Sequence, residues 1–242
     1  MTTELKYGDK KINLALDSKN LIGLITARQN QSLENPLDKM RKLLDEPINS
    51  PSLKQLIKDK KAKRILIVAN DITRPTPYDV FLPPLLDILE QLGIQKENIT
   101  FIVATGAHRG NTKSENKRVF GKQIVLTYHF INHDCDDQRL IDLGKMKSGN
   151  HLWVDPVVKQ VDFIITTGVI VPHYIAGFSG GRKSILPGIC GRETIEKNHA
   201  NMIHPQAFTG NLLNNPVHQE MMESIQMVSV DFNINAITDE EG

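Results

Sequence analysis

VDFIITTGVIVPHYIAGFSGGRKSILPGICGRETIEKNHAN, residues 161–201, reads as a buried strand, a glycine-rich loop and then a helix. The β-branched run 163–167, closed by Gly168, is continuously apolar, as in a parallel strand covered on both faces. His173 follows in the loop at its carboxyl end. Next come Gly177, Ser179, Gly180, Gly181, Arg182, Lys183 and Ser184. Closely spaced glycines let the backbone approach a ligand, and successive amides in such a turn can form an anion-binding nest. A helix over 192–202 would set Ile195, His199 and Met202 on one face, so that His199 points inward among apolar neighbours.

GFSGGRKS looks like a P-loop ending in Lys-Ser, but a P-loop has glycine immediately before its lysine, and here Arg182 stands there. Pro172 and its neighbours also separate the strand from the first loop glycine. ATP hydrolysis is therefore disfavoured. A merely tight connection would explain the glycines but not the company of Arg182, Lys183 and His173, and the chemistry favours a site.

Outward from this stretch, strand and helix patterns alternate. RILIVAN at 64–70 is followed by a helix over 78–92, ITFIVAT at 99–105 by a helix over 113–120, and QIVLTYH at 123–129 reads as a further strand. Such alternation predicts an α/β fold with a doubly wound, mostly parallel, Rossmann-like sheet. Residues 138–154 read as a hairpin insertion turning at 147–150, and 4–16 as an amino-terminal hairpin turning at Gly8-Asp9. Two short helices, 37–44 and 50–57, are expected between them, the second capped by Ser50 with Pro51 at its first position. A helix over 216–228 and a strand over 231–237 close the pattern, and 239–242 reads as a turn leading into further chain.

Composition sets the remaining bounds. The chain has 242 residues, 40% apolar and 24% charged, ordinary for a globular protein. A net charge of +1 gives no electrostatic case for nucleic acid or an anionic membrane. The run 58–64, rich in lysine, lacks aromatic residues and ends a helix, where cations complement the dipole. No secretory signal and no membrane span are legible. Cys135 and Cys190 have neither metal-like nor framework spacing, which fits a reducing cytoplasm.

Carboxyl ends of parallel strands share one edge of a sheet, and ligands bind in the crevice there. Three such ends carry chemistry: Asp71, Thr73 and Arg74 after the first strand, His108 after the second and His173 after the later one. Arg74 offers a planar fork for a carboxylate or phosphate, and Asp71 could orient it. His108 and His173, titrating near neutrality on opposite sides of a cavity, could move protons at either face of a substrate. His199 has no second histidine at helical spacing, so an all-protein zinc pair is not supported. The other histidines read as structural or solvent-exposed.

DITRP at 71–75, TGAHR at 105–109, PHYIAGFSGGRKSILPGI at 172–189 and ETIEKNHA at 193–200 together resemble the amino-terminal domain of the nickel-dependent lactate racemase family, whose members carry a nickel pincer nucleotide. The resemblance covers the whole chain. It implies that Lys183 is the lysine joined covalently to the cofactor and that His199 is the protein ligand to nickel. It implies His108 and His173 as the acid/base pair and Arg74 as the substrate anchor. Asp71, Thr73, Gly177, Ser179, Gly180, Gly181, Arg182 and Ser184 would line the cofactor. A pincer bringing its own sulfur and carbon donors needs only one imidazole, which gives a solitary inward histidine a purpose. The implied reaction is racemisation or epimerisation of a small 2-hydroxy acid, lactate first, by reversible hydride transfer at C2. The family also has cofactor maturation enzymes as partners and a carboxyl-terminal domain that closes over the site. Residues 1–242 alone are therefore expected to be an inert amino-terminal domain without cofactor. The alternative is a phosphate- or nucleotide-binding module using the same loop without redox chemistry.

Overall fold

The computed structural model describes residues 2–8, 10–23 and 33–238, in two units spanning 1–32 and 33–242. In the first, β1 (Thr2–Tyr7) and β2 (Lys10–Ala15) form the expected antiparallel hairpin, with Tyr7 opposite Lys10 and Gly8 at φ +60°. Asp9, like the expected turn at 239–242, lies outside the described residues.

The second unit runs α1 (Pro36–Asp45), α2 (Leu53–Lys60), β3 (Ile65–Asn70), α3 (Tyr78–Gln91), β4 (Ile99–Ala104), α4 (Lys113–Phe120), α5 (Lys122–Thr127), β5 (His129–Asn132), β6 (Ile141–Lys145), β7 (His151–Val154), β8 (Phe163–Val169), the two-residue strands β9 (Pro172–His173) and β10 (Gly177–Phe178), α6 (Arg192–Ala200), α7 (Pro216–Val228) and β11 (Phe232–Ala236). The central sheet has the order β11-β8-β3-β4-β5 with every pair parallel. Side chains alternate across it. Ile65, Ile67 and Ala69 join Phe101, Val103 and Ile165 under α1, α2, α3 and α4, while Leu66, Val68, Ile102 and Ile164 pack against the β6–β7 hairpin, α6 and α7. Burial on both faces is why these strands read as unbroken apolar runs.

From β3 the chain builds outward to β4 and β5, then returns to add β8 and β11 on the other side. The order thus reverses between β3 and β8, the place where an open α/β sheet leaves a crevice. Here the crevice has a visible cause. The β3–β8 ladder ends at Val68 and Thr166. The next amide of β3 on that side, Asn70, donates instead to the Tyr78 hydroxyl at 2.6 Å, and the Tyr78 hydroxyl lies 3.1 Å from Thr167 Oγ1, which donates to the Val68 carbonyl. Burial pushes the Tyr78 hydroxyl up to about 12, so it stays a neutral donor spanning the splayed strands.

Three local expectations need correction. Residues 123–129 do not form a strand; α5 occupies 122–127 and β5 begins at His129. Ile124, Val125 and Tyr128 pack on the core at helical spacing while Leu126 is exposed, a pattern that tertiary packing selects over the β-propensity of the run. Ser52, not Ser50, caps α2, its hydroxyl accepting from the Gln55 amide at 3.2 Å, and this start buries both Leu53 and Ile57. Helix α6 stops at Ala200 and tightens to a 3-10 turn over Asn201–Ile203, which rotates Met202 out to solvent rather than leaving it beside His199. No helix among the described residues is long and apolar enough to cross a membrane.

Candidate functional site

A cavity of about 290 Å3 opens at the switch point, lined by the loops after β3, β4 and β8 and by α6. Asp71, Arg74, His108, His173, Ser179, Gly180, Lys183, Ser184 and His199 all border it. The convergence expected from three separate strand ends is therefore met.

Asp71 is buried at its edge. Its Oδ1 accepts from the Thr73 amide at 3.0 Å and the Thr73 hydroxyl at 2.6 Å, and its Oδ2 lies 2.7 Å from His108 Nδ1. A carboxylate only accepts, so the ring proton of His108 sits on Nδ1 and the Nε2 lone pair is left free. Backbone bonds hold the two loops together: the His108 amide donates to Thr105 O, and the Gly106 amide donates to Gly188 O, both at 2.9 Å. The Arg74 guanidinium has no hydrogen-bond or ion-pair partner among the described residues, which leaves a cation ready for an anionic ligand.

On the facing wall, Lys183 Nζ lies 3.1 Å from His173 Nε2. Neither is an ordinary base. Burial, then the cations of Lys183 and Arg74, push His173 down to about 4, and burial with Arg74 and Arg182 pushes Lys183 down to about 8. The expectation that both cavity histidines titrate near neutrality is thus corrected for His173: a half-buried ring among cations resists a further positive charge. His199 is also held below the usual histidine range, chiefly by burial. Its Nδ1 donates to the Ile195 carbonyl at 2.9 Å, which fixes the tautomer and keeps a lone pair on Nε2.

Four expected cofactor contacts do not line the cavity. Thr73 orients Asp71. Arg182 is buried and donates through Nη2 to the carbonyls of Ala176 at 2.7 Å and Phe178 at 3.0 Å, so it braces the loop from behind. Gly177 and Gly181 lie in the same wall, and at Gly177, φ +79°, a Cβ would collide with the Asn211 carbonyl. Three of the loop amides are not available to an anion: those of Ser179, Gly181 and Lys183 donate to Val171 O, Asn235 Oδ1 and Gly180 O. A short 3-10 turn over Gly181–Ser184, rather than a long helix, follows the glycines.

Sequence reasoning missed Asn235, whose Oδ1 holds the Gly181 amide at 3.1 Å. Its signal was present in FNINA, since asparagine is depleted in strands unless its side chain has a partner. His133, read with the other histidines as structural or solvent-exposed, is structural: buried between Asp155 Oδ2 at 3.3 Å and Cys190 O at 2.9 Å, it ties the end of β5 to the loop before α6.

Among the described residues, the one cluster of three or more potentially metal-ligating His, Cys, Asp or Glu side chains is Asp134, Cys135 and Asp136, which does not border the cavity.

Residues 7–210 match the lactate racemase N-terminal domain family. The lactate racemases of Thermoanaerobacterium thermosaccharolyticum and Lactiplantibacillus plantarum are each 34% identical to this chain, over 98% of it and over 56% and 57% of their own lengths. The structure of the T. thermosaccharolyticum lactate racemase apoprotein superposes on the whole chain with a TM-score of 0.83 at 32% identity, again over 57% of its own length. The chain therefore spans little more than half of the curated relatives it matches. It belongs to the lactate racemase N-terminal domain family.

Proposed function

We propose that this chain is the cofactor-holding and proton-handling part of a 2-hydroxy-acid racemase or epimerase, with lactate as the first substrate to test. The observation that carries the reading is one cavity bordered by a carboxylate-oriented histidine, a lysine–histidine contact, an inward imidazole and an unpaired arginine. Family membership and relatives named lactate racemase support the same class.

The residues fit a nickel pincer nucleotide. Lys183 offers an amine whose pKa burial and neighbouring cations push down to about 8, and His199 offers an Nε2 lone pair as a single imidazole donor to a metal that a nucleotide cofactor would bring with its own donors. Such a group, when bound, would supply the hydride acceptor and donor for C2 of the substrate.

The chain's own residues do the rest. Arg74 holds the substrate carboxylate and sets the orientation of C2. His108, with Nδ1 fixed by Asp71, presents the Nε2 lone pair to the C2 hydroxyl and removes its proton as the hydrogen on C2 departs. His173, across the cavity, serves the hydroxyl of the opposite enantiomer, and each ring returns a proton to the keto oxygen on its own side. Contacts from beyond residue 242 belong to the whole protein.

The test is full-length protein produced together with the cofactor maturation enzymes and then analysed for intact mass, nickel and interconversion of D- and L-lactate. A covalent adduct at Lys183 with near-stoichiometric nickel and racemisation is expected. An unmodified lysine and no interconversion from protein so produced would overturn the reading.

A further inference from the structure

We propose that the packing point between α6, α7 and the turn before β7 binds one alkali cation, sodium or potassium, through Asn150, Asn198 and Glu220. The site lies outside the cavity and does not depend on the racemase reading.

All three side chains are buried, Asn198 completely. Both amides converge on one carboxylate oxygen: Asn198 Nδ2 lies 2.8 Å and Asn150 Nδ2 3.4 Å from Glu220 Oε2. Each amide nitrogen also donates to a backbone carbonyl, Asn198 Nδ2 to Val217 O at 3.2 Å and Asn150 Nδ2 to Thr194 O at 3.1 Å.

These second partners fix the orientation of each amide. Val217 O, Thr194 O and Glu220 Oε2 can only accept, so flipping either asparagine would set oxygen against oxygen twice. The carbonyl ends are therefore committed to the other side, where Asn150 Oδ1 and Asn198 Oδ1 are buried without a protein donor. A buried acceptor left unmatched costs free energy, and here two belong to side chains anchored on the same carboxylate.

Charge decides which species satisfies them. No lysine, arginine or histidine pairs with Glu220 among the described residues, so its buried carboxylate is met only by two neutral amides. A water molecule could donate to the stranded oxygens but would leave that charge uncompensated. A cation answers both deficits. The donors are all oxygen, which selects a hard ion over zinc or copper. One carboxylate balances one positive charge, whereas calcium sites gather several. Asn198 immediately precedes His199, so the ion ties α6 to α7 and to the turn before β7 beside that ring, and steadies the helix that presents it to the cavity.

Full-length protein purified without cofactor is dialysed into choline chloride free of alkali ions, and its thermal transition is followed as potassium, sodium or calcium chloride replaces choline at constant ionic strength. Potassium or sodium should raise the Tm by roughly 2–4 °C and saturate, while calcium should add nothing beyond choline. Crystals soaked in a thallium(I) salt, a potassium mimic with a strong anomalous signal, should show a peak in contact with Asn150 Oδ1 and Asn198 Oδ1. Glu220→Gln supplies an N–H for a stranded oxygen and removes the charge, so it should fold and lose both the alkali-specific shift and the thallium peak. If that variant fails to fold, the thallium map of the parent protein decides. An ordered water with no thallium peak, equal Tm in choline and alkali salts, a response to calcium alone, or a folded Glu220→Gln that responds like the parent would each overturn the proposal.

Discussion

Asp71 Oδ2 lies 2.7 Å from His108 Nδ1, while Oδ1 of the same carboxylate is filled by the amide and hydroxyl of Thr73. The contact does for His108 what a buried acid does in any oriented acid/base pair: it selects the tautomer with a free Nε2. Asp71→Asn replaces an obligate acceptor by a side chain that can present an N–H, and should invert the tautomer or turn the ring. In loaded full-length protein, kcat should fall by roughly a hundredfold to ten-thousandfold with a smaller change in KM. Nitrogen NMR shifts of His108 should change in parallel, and an unchanged rate with an inverted tautomer would refute the assignment.

Lys183 and His199 should separate cleanly by what is lost. Lys183→Ala should abolish the covalent adduct in protein produced with the maturation enzymes, whereas His199→Ala should lower nickel occupancy and leave the adduct mass. Equal nickel and equal mass in both variants would mean that the two roles are assigned wrongly.

The depressed lysine has a stability consequence whose sign follows from linkage. The folded-state value lies near 8 against an ordinary 10.5, so the unfolded chain binds more protons between those values and stability falls as pH drops through that window. Below about 8 the folded protein carries the full penalty of a crowded, half-buried ammonium. Lys183→Met removes it and should raise the Tm of the cofactor-free protein at pH 7, with the gain shrinking as pH approaches 10. A lower Tm at pH 7 would show that the lysine stabilises the empty cavity instead.

Gly180 has little room for a side chain. Its φ is +79°, and a Cβ would stand 2.8 Å from Asn235 Oδ1 and 2.9 Å from Ile170 Cγ1. Gly180→Ala should cost about 1–3 kcal/mol and displace the loop that presents Lys183. Denaturant unfolding and the yield of the Lys183 adduct in the same variant would read both effects, and a variant as stable as the parent would show that the loop gives way.

What the sequence disclosed and what it hid follow one physical rule. Strands such as Ile65–Asn70 and Phe163–Val169 were legible because a parallel sheet buries both faces and writes that burial as an apolar run. The shared edge of their carboxyl ends then predicted that Asp71, His108, His173 and Lys183 would meet. Features set by packing rather than period were not legible. Residues 123–127 became a helix because Leu126 could face solvent there. The roles of Tyr78 under the crevice, Arg182 behind the loop and Asn235 across it depend on elements far apart in the chain. So does the depression of His173, which needs the Lys183 and Arg74 cations placed in space.

The most direct measurement of the central claim is a single turnover of each lactate enantiomer by loaded full-length His108→Ala and His173→Ala, with formation of the keto acid followed by rapid quench. Each variant should form keto acid from the enantiomer whose base it retains and fail with the other, and the two variants should fail with opposite enantiomers. Keto acid formed at the parent rate from both enantiomers by both variants would contradict the account, since neither histidine would then be moving the hydroxyl proton.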